Sequence, residues 1–205
     1  PWTVAQKVLP DAFPADPDRL ARFKRDAQIT LERRVLRHEE NEIMSKNTSS
    51  HEKAPWITYR PALKVLDCTV RDGGLINAHQ FTDEFVRAVY DTCLAAGLDT
   101  MEIGYKNSER LFPRDRFGAW RHCREEDMRR VVGDHDAEGT GLTLAAMADA
   151  GKSDWQTAIG PAADSVLGMI RVAFYAHQVS EAVDMIQHAS EQGYETMANL
   201  MAVSN

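Results

Sequence analysis

Apolar and polar positions divide the chain into two textures. From residue 62 onward, short apolar runs alternate with amphipathic stretches. Residues 63–70 (Leu63-Lys64-Val65-Leu66-Asp67-Cys68-Thr69-Val70) are rich in β-formers and are stopped by Gly73-Gly74, so they predict a first strand. Residues 82–96 predict a helix. Thr82 suits the cap, Asp83 and Glu84 suit the positive first turn, and Phe85, Val86, Val89, Cys93 and Leu94 share one face, with Gly97 as the stop. Further strands are predicted over 100–104, 142–148, 169–174 and 195–203. A second amphipathic helix is predicted over 180–192, with Ala182, Val183, Ile186 and Ala189 inward and Gly193 ending it.

Strands and helices in alternation, with nearly continuous apolar strands, mean an α/β fold built on a parallel sheet. Polar residues interrupt these strands near their ends: Asp67, Arg71, Asp72, Glu102, Asp149, Arg171 and Asn199. Ligands of parallel α/β folds bind at the carboxyl ends of strands. Five βα units fit either a doubly wound sheet or the first five-eighths of a barrel. The sequence stops just after the fifth strand with no covering helix, which would leave a bare edge, so a C-terminal truncation is expected.

The first 61 residues read differently. Residues 1–43 form an extension, with a helix expected over 17–43. Asp16 is its candidate N-cap, Pro17 stands at the first helical position, and Leu20, Phe23, Ala27, Leu31 and Val35 make a narrow apolar stripe. Residues 44–61 form a polar linker; its stretch from Ser45 to Lys53 has no apolar period. The α/β domain is expected to cover 62–205. The whole chain carries 24 basic and 31 acidic side chains, a net charge of −7. That balance excludes a dedicated nucleic-acid binder, which needs a clustered cationic face. No apolar run approaches the roughly 18–20 residues that cross a bilayer. Three cysteines (Cys68, Cys93, Cys123) without metal-type spacing suit a soluble protein of a reducing compartment, the cytoplasm.

The densest chemistry lies in Asp67-Cys68-Thr69-Val70-Arg71-Asp72-Gly73-Gly74. Three charges within six residues at a strand mouth are costly to bury unless they pair or hold a metal. A carboxylate can ligate a divalent cation, and a guanidinium beside it can hold a planar oxyanion. The plainer alternative is a structural salt bridge. Asp67-x-x-x-Arg71-Asp72 opening a βα unit resembles the signature of the DRE-TIM metallolyases, which include 4-hydroxy-2-oxovalerate aldolase, 3-hydroxy-3-methylglutaryl-CoA lyase and the isopropylmalate and homocitrate synthases. Glu102, 30 positions after Asp72, stands where those enzymes carry an acidic residue. Gly73-Gly74-Leu75-Ile76-Asn77, Met101-Glu102-Ile103-Gly104-Tyr105 and Asn199-Leu200-Met201 are similar to the subgroup described as an aldolase catalytic domain.

The resemblance covers about residues 62–205 and implies a (β/α)8 barrel, present as about five βα units. It also implies a divalent cation, Mg2+, Mn2+ or Zn2+, that polarises the carbonyl of a 2-oxo acid or thioester and stabilises an enolate. By position, Asp72 would ligate the metal and Arg71 would stabilise the oxyanion. Asp67 would orient Arg71 or shape the turn, and Glu102 would stand behind them or position the substrate. Arg171 and Asn199 are candidate substrate-binding residues, with a filling role inside the barrel as the alternative. The family's other metal ligands, a His-x-His or His-x-Asn pair on its seventh strand, would lie beyond residue 205. Leu75 stands where the hydroxy-oxovalerate aldolases place a catalytic His; His79 is a candidate substitute, against the plainer role of a polar residue before the helix.

The expected function is a metal-dependent carbon–carbon lyase or aldolase acting on a small oxo acid or thioester. The alternatives are a Claisen-type synthase joining an acyl-CoA to a 2-oxo acid, and an inert truncated fragment or binding module. Expected partners are the small substrate and, beyond it, a second copy or a dehydrogenase, with no nucleic acid and no membrane. Residues 1–28 resemble a scrap of a bacterial Ser/Thr kinase N-lobe, with Lys7 as the phosphate-binding lysine and Asp26 where that lobe carries a Glu. No Gly-rich loop, His-Arg-Asp or Asp-Phe-Gly accompanies it, so kinase activity is not expected. Asp149 and Lys106 are expected in loops or at the surface, Cys68 as a small buried hydrophobe, His135 in a polar turn, and 112–127 as a loop or solvated face.

Overall fold

The computed structural model describes residues 63–202. The expected extension, the kinase-like segment and the whole linker lie outside them. Five strands form one sheet: β1 Leu66–Asp67, β2 Thr100–Tyr105, β3 Thr143–Asp149, β4 Met169–Phe174 and β5 Glu195–Leu200. Their order is sequential, every neighbouring pair is parallel, and the sheet curls into half a barrel wall. A doubly wound sheet reverses its order at a switch point; this one does not. With right-handed crossovers, sequential order places the covering helices on one face.

The helices are α1 Thr69–Gly73, α2 Asp83–Ala95, α3 Glu125–Val132, the single turns α4 Ala137–Thr140 and α5 Trp155–Ala158, and α6 Val179–Glu191. The Thr82 hydroxyl accepts the Phe85 N–H at the start of α2, as the sequence predicts. Gly97 closes that helix at φ +58°, a conformation that favours glycine. The main core lies between helices and sheet. Val86, Val89 and Cys93 of α2, Met128 and Val131 of α3 and Ala182, Met185 and Ala189 of α6 meet Met101, Ile103, Leu144, Ala146, Ile170 and Val172 of the strands. The opposite face of the sheet carries a small apolar cluster of Tyr105, Met147 and Ala173, with Met201 against it.

Strand β2 departs from simple alternation. Glu102 pairs with Ala145, but Gly104 pairs with Ala146 and Tyr105 with Met147, so Ile103 is one residue too many. This bulge shifts the phase of the strand. Glu102 and Tyr105, three positions apart, therefore share the face away from the helices.

Three expectations need correction. The first strand ends at Asp67, and Thr69–Gly73 turns into a helix. The cause is local: the Asp67 carboxylate accepts the Thr69 N–H at 3.0 Å and its hydroxyl at 2.8 Å, which folds the chain into an Asx-type turn. Val183 is 54% exposed instead of inward; Met185 takes the place on the buried stripe of α6. Lys106 and Asp149 are buried, where the sequence placed them in loops or at the surface.

Candidate functional site

The site is built on the sheet face that carries no helix. Glu102 stands in the middle of β2 and is wholly buried. Its Oε2 accepts Arg71 Nε–H at 2.6 Å from α1, just after β1, and an Arg171 terminal N–H at 2.8 Å from β4. The Cys68 thiol lies 3.5 Å from the same oxygen. Arg71 reaches on to Asp72 Oδ1 at 2.7 Å, and Arg171 reaches toward Asn199 Oδ1 of β5 at 3.5 Å. One carboxylate thus ties together three strands and the turn after β1. The expected residues Arg71, Asp72, Glu102, Arg171 and Asn199 come together here. Asp67 does not join them: it is spent on Thr69, and its strand partner is Met101 of the helix-side core.

The electrostatics are unbalanced in an informative way. Two guanidiniums share one buried carboxylate, and only Asp72, part-exposed at the rim, adds a second negative charge to the cluster. Burial works against the charge on Arg71, but the attraction of Glu102 more than offsets it and leaves the guanidinium more firmly protonated than usual. Glu102 Oε1 and Arg171 Nε are both buried without a hydrogen-bond partner. A buried donor left unpaired costs about 1–3 kcal/mol. Arg171 Nε is an open donor that suits an oxyanion or carboxylate guest, while Glu102 Oε1 is an open acceptor that needs a donor.

Around this cluster stand His79, which the sequence offered as a candidate, and residues that it missed or placed in loops or at the surface. His79 is 1% exposed, and its Nε2–H donates to the Arg71 carbonyl at 3.0 Å, leaving Nδ1 buried and unpartnered. Its ring meets Tyr105 edge-on at 5.2 Å. Burial pushes the imidazole pKa down to about 4, against the bond to the Arg71 carbonyl and with help from the positive charges nearby. Two glycines make room for it: a Cβ on Gly74 would lie 2.2 Å from the His79 ring, and one on Gly118 would lie 1.9 Å from the His79 carbonyl oxygen. Asn107 donates to Asp149 at 2.9 Å, and Lys106 Nζ donates to the Cys123 carbonyl at 2.7 Å. The signal for His79 and Tyr105 lay in the Gly-Gly pair and the strand bulge, neither of which alternation alone discloses.

Cys68 is part-buried, and burial with Glu102 nearby holds its thiol up at about 12, far from a nucleophilic thiolate. His135 is half-buried; it accepts from the Tyr90 hydroxyl and donates to the Leu142 carbonyl. Within 112–127, Trp120 and Asp127 are buried, so this stretch is in part core.

The chain matches no protein-family model, no curated protein and no solved structure. The site therefore rests on its own geometry. A cavity of about 600 Å3 lies elsewhere, lined by Lys106, Ser108, His122, Arg124, Asp154 and Tyr194 among others. Its charged walls are largely satisfied among themselves, with Arg124 on Glu109 and Arg110 on Asp154. The Glu102 cluster has the greater unmet electrostatic demand and is the better candidate for chemistry.

Among the described residues, no three His, Cys, Asp or Glu side chains come together as a metal site. Asp72 could supply one oxygen at the rim, but it also faces Arg71. The described residues alone do not make a complete donor set for Mg2+, Mn2+ or Zn2+. Nor is any described helix long and apolar enough to cross a membrane.

Proposed function

We propose that this chain acts as a carbon–carbon lyase or aldolase on a 2-oxo acid, with an enolate held at the Arg71–Glu102–Arg171 cluster. The observation that supports it is the sharing of one buried carboxylate oxygen between two guanidiniums, one from α1 and one from β4. Guanidiniums held so rigidly are aimed in advance at a planar anion, and preorganised donors stabilise charge that develops during reaction. In this reading Arg71 and Arg171 bind the substrate carboxylate and the oxygen of the nascent enolate. Glu102 fixes their orientation, and Asn199 flanks the guest. The half-barrel would belong to a (β/α)8 barrel. A divalent cation would take Asp72 as one ligand and its other ligands from outside residues 63–202; no step is assigned to it here. The three free thiols are in keeping with a cytoplasmic setting.

The test is enolisation itself, which needs no knowledge of the second substrate. Full-length protein with pyruvate and Mg2+ or Mn2+ in D2O is followed by proton NMR for exchange of the methyl hydrogens. Metal-dependent exchange is expected, lowered at least about 100-fold by Asp72→Ala and by Arg71→Lys. No exchange above the metal-only rate, or full exchange in both variants, sinks the proposal.

A further inference from the structure

Among the described residues, four cations are buried: Arg71, Lys106, Arg121 and Arg171. Three of them have polar partners: Arg71 and Arg171 are tied to Glu102, and Lys106 to the Cys123 carbonyl. Arg121 is different. It is 6% exposed, its Nε has no hydrogen-bond partner, and none of the described carboxylates forms an ion pair with it. Its guanidinium carbon lies 4.0 Å from the centroid of the Phe112 ring and 4.5 Å from that of Tyr105. Two ring contacts of this kind are worth about 1–2 kcal/mol each. Desolvating a cation costs several kcal/mol, so the rings hold the guanidinium in place without neutralising it. The Tyr105 side chain, through its hydroxyl, and Asp149 both attract it, yet the Asp149 carboxylate is already engaged by Asn107.

The placement of this cation matters as much as its charge. Arg71 also stands over the Tyr105 ring, its guanidinium carbon 6.0 Å from the centroid. One aromatic ring on the open face of the sheet therefore stands between the Glu102 cluster and a second guanidinium that has no ion pair with any described carboxylate. The backbone around Arg121 is fixed as well: its N–H donates to the Gly118 carbonyl, and its carbonyl accepts from Asn107.

We propose that Arg121 anchors a second anionic group of the substrate, a carboxylate or phosphate, so that the substrate class is a doubly charged 2-oxo acid. This inference rests on the enolate reading of the Glu102 cluster and extends it from reaction type to substrate class. Tyr105 would act as the spacer that sets the distance between the two anionic ends.

The experiment is isothermal titration of the full chain with three probes: pyruvate, 2-oxoglutarate and 3-phosphonopyruvate. The doubly charged probes are expected to bind at least about tenfold tighter than pyruvate, the worth of one charge-assisted contact. Arg121→Gln is expected to narrow that ratio to about twofold. Arg121→Lys keeps the charge without the planar fork and is expected to fall between; it decides the matter if the Gln variant does not fold by circular dichroism. A preference below about threefold in the wild type, a ratio unchanged in the variants, or no binding of any probe overturns the proposal. Relative loss on 2-oxoglutarate and 3-phosphonopyruvate tells which anionic group is read. An Arg71→Gln arm separates the two readings. If it abolishes pyruvate binding while Arg121→Gln keeps the preference, the anchor fails and the enolate site stands. If it leaves pyruvate binding intact while Arg121→Gln erases the preference, the enolate site fails and the anchor stands.

Discussion

Substituting Glu102 by Gln probes the cluster directly. The change keeps the side-chain volume and removes the one charge that Arg71 Nε and Arg171 meet at 2.6 and 2.8 Å. Stranding one partner of a buried ion pair costs roughly 3–5 kcal/mol. Here Arg171 loses its counter-ion and Arg71 keeps only Asp72 at the rim, while an amide oxygen can still accept an N–H worth about 1 kcal/mol. The expected net loss is about 4 kcal/mol. With a urea slope of about 2 kcal/mol/M, the unfolding midpoint should fall by about 2 M. At about 3 °C per kcal/mol for a domain of this size, Tm should fall by about 12 °C. Urea titrations followed by tryptophan fluorescence measure the first, and calorimetry the second. A double variant, Glu102→Gln with Arg171→Met, removes one stranded cation and should recover about half of the loss. A midpoint shift under about 0.5 M, or a double variant no more stable than the single one, would refute the view that these charges are mutually dependent.

Three further outcomes follow from the packing. Gly104→Ala and Gly118→Ala should each cost about 2–3 kcal/mol, because the new Cβ would meet backbone of Trp120 or His79 at 2.2 or 1.9 Å; Gly160→Ala, with nothing within 4 Å, should be neutral in the same melts. His79, with its folded pKa near 4, stays neutral in the native state while the unfolded chain takes up its proton near pH 6.5. The stability it contributes is thus fully present above about pH 6.5 and is lost as pH falls toward 4, by roughly 3 kcal/mol. His79→Asn, which suits a positive φ, should flatten that window relative to wild type, and equal slopes would count against it. Burial holds Cys68 and Cys123 at about 12 and Cys93 up as well, so at pH 8 all three thiols should resist Ellman's reagent until guanidinium is added; a fast-reacting native thiol would contradict this.

The sheet was legible because β2, β3 and β4 are buried on both sides and so read as nearly continuous apolar runs. Helix α2 announced itself through Thr82 and a clean stripe. What failed to show were effects of a single side chain. Asp67 ended β1 by capturing Thr69, so a β-rich run became a helical turn. Lys106 and Asp149 looked like surface residues because polar type argues for exposure, yet each found a buried partner in Cys123 or Asn107. Of the candidate site, Arg71, Asp72, Glu102, Arg171 and Asn199 were visible as charges interrupting strands. His79 was visible only as a candidate beside the plainer role of a polar residue before the helix, and Arg121 only within 112–127, since no spacing rule brings the loop after α1 and the turn before α3 against the same tyrosine.

The surplus Ile103 in β2 has an evolutionary and practical edge. Deleting it would restore regular pairing with β3 and would look harmless in any alignment scored on hydrophobicity. The side chains beyond it would keep their faces, since Gly104 already pairs with Ala146 and Tyr105 with Met147; regular pairing with Ile103 retained is what would turn Tyr105 into the oily layer under the helices and Gly104, whose missing side chain makes way for Trp120, to the open side. The bulge therefore acts as a reading-frame marker for the mouth of the half-barrel. A natural variant or engineered graft keeps the acid and the ring on one surface with both the bulge and its extra residue, or with neither.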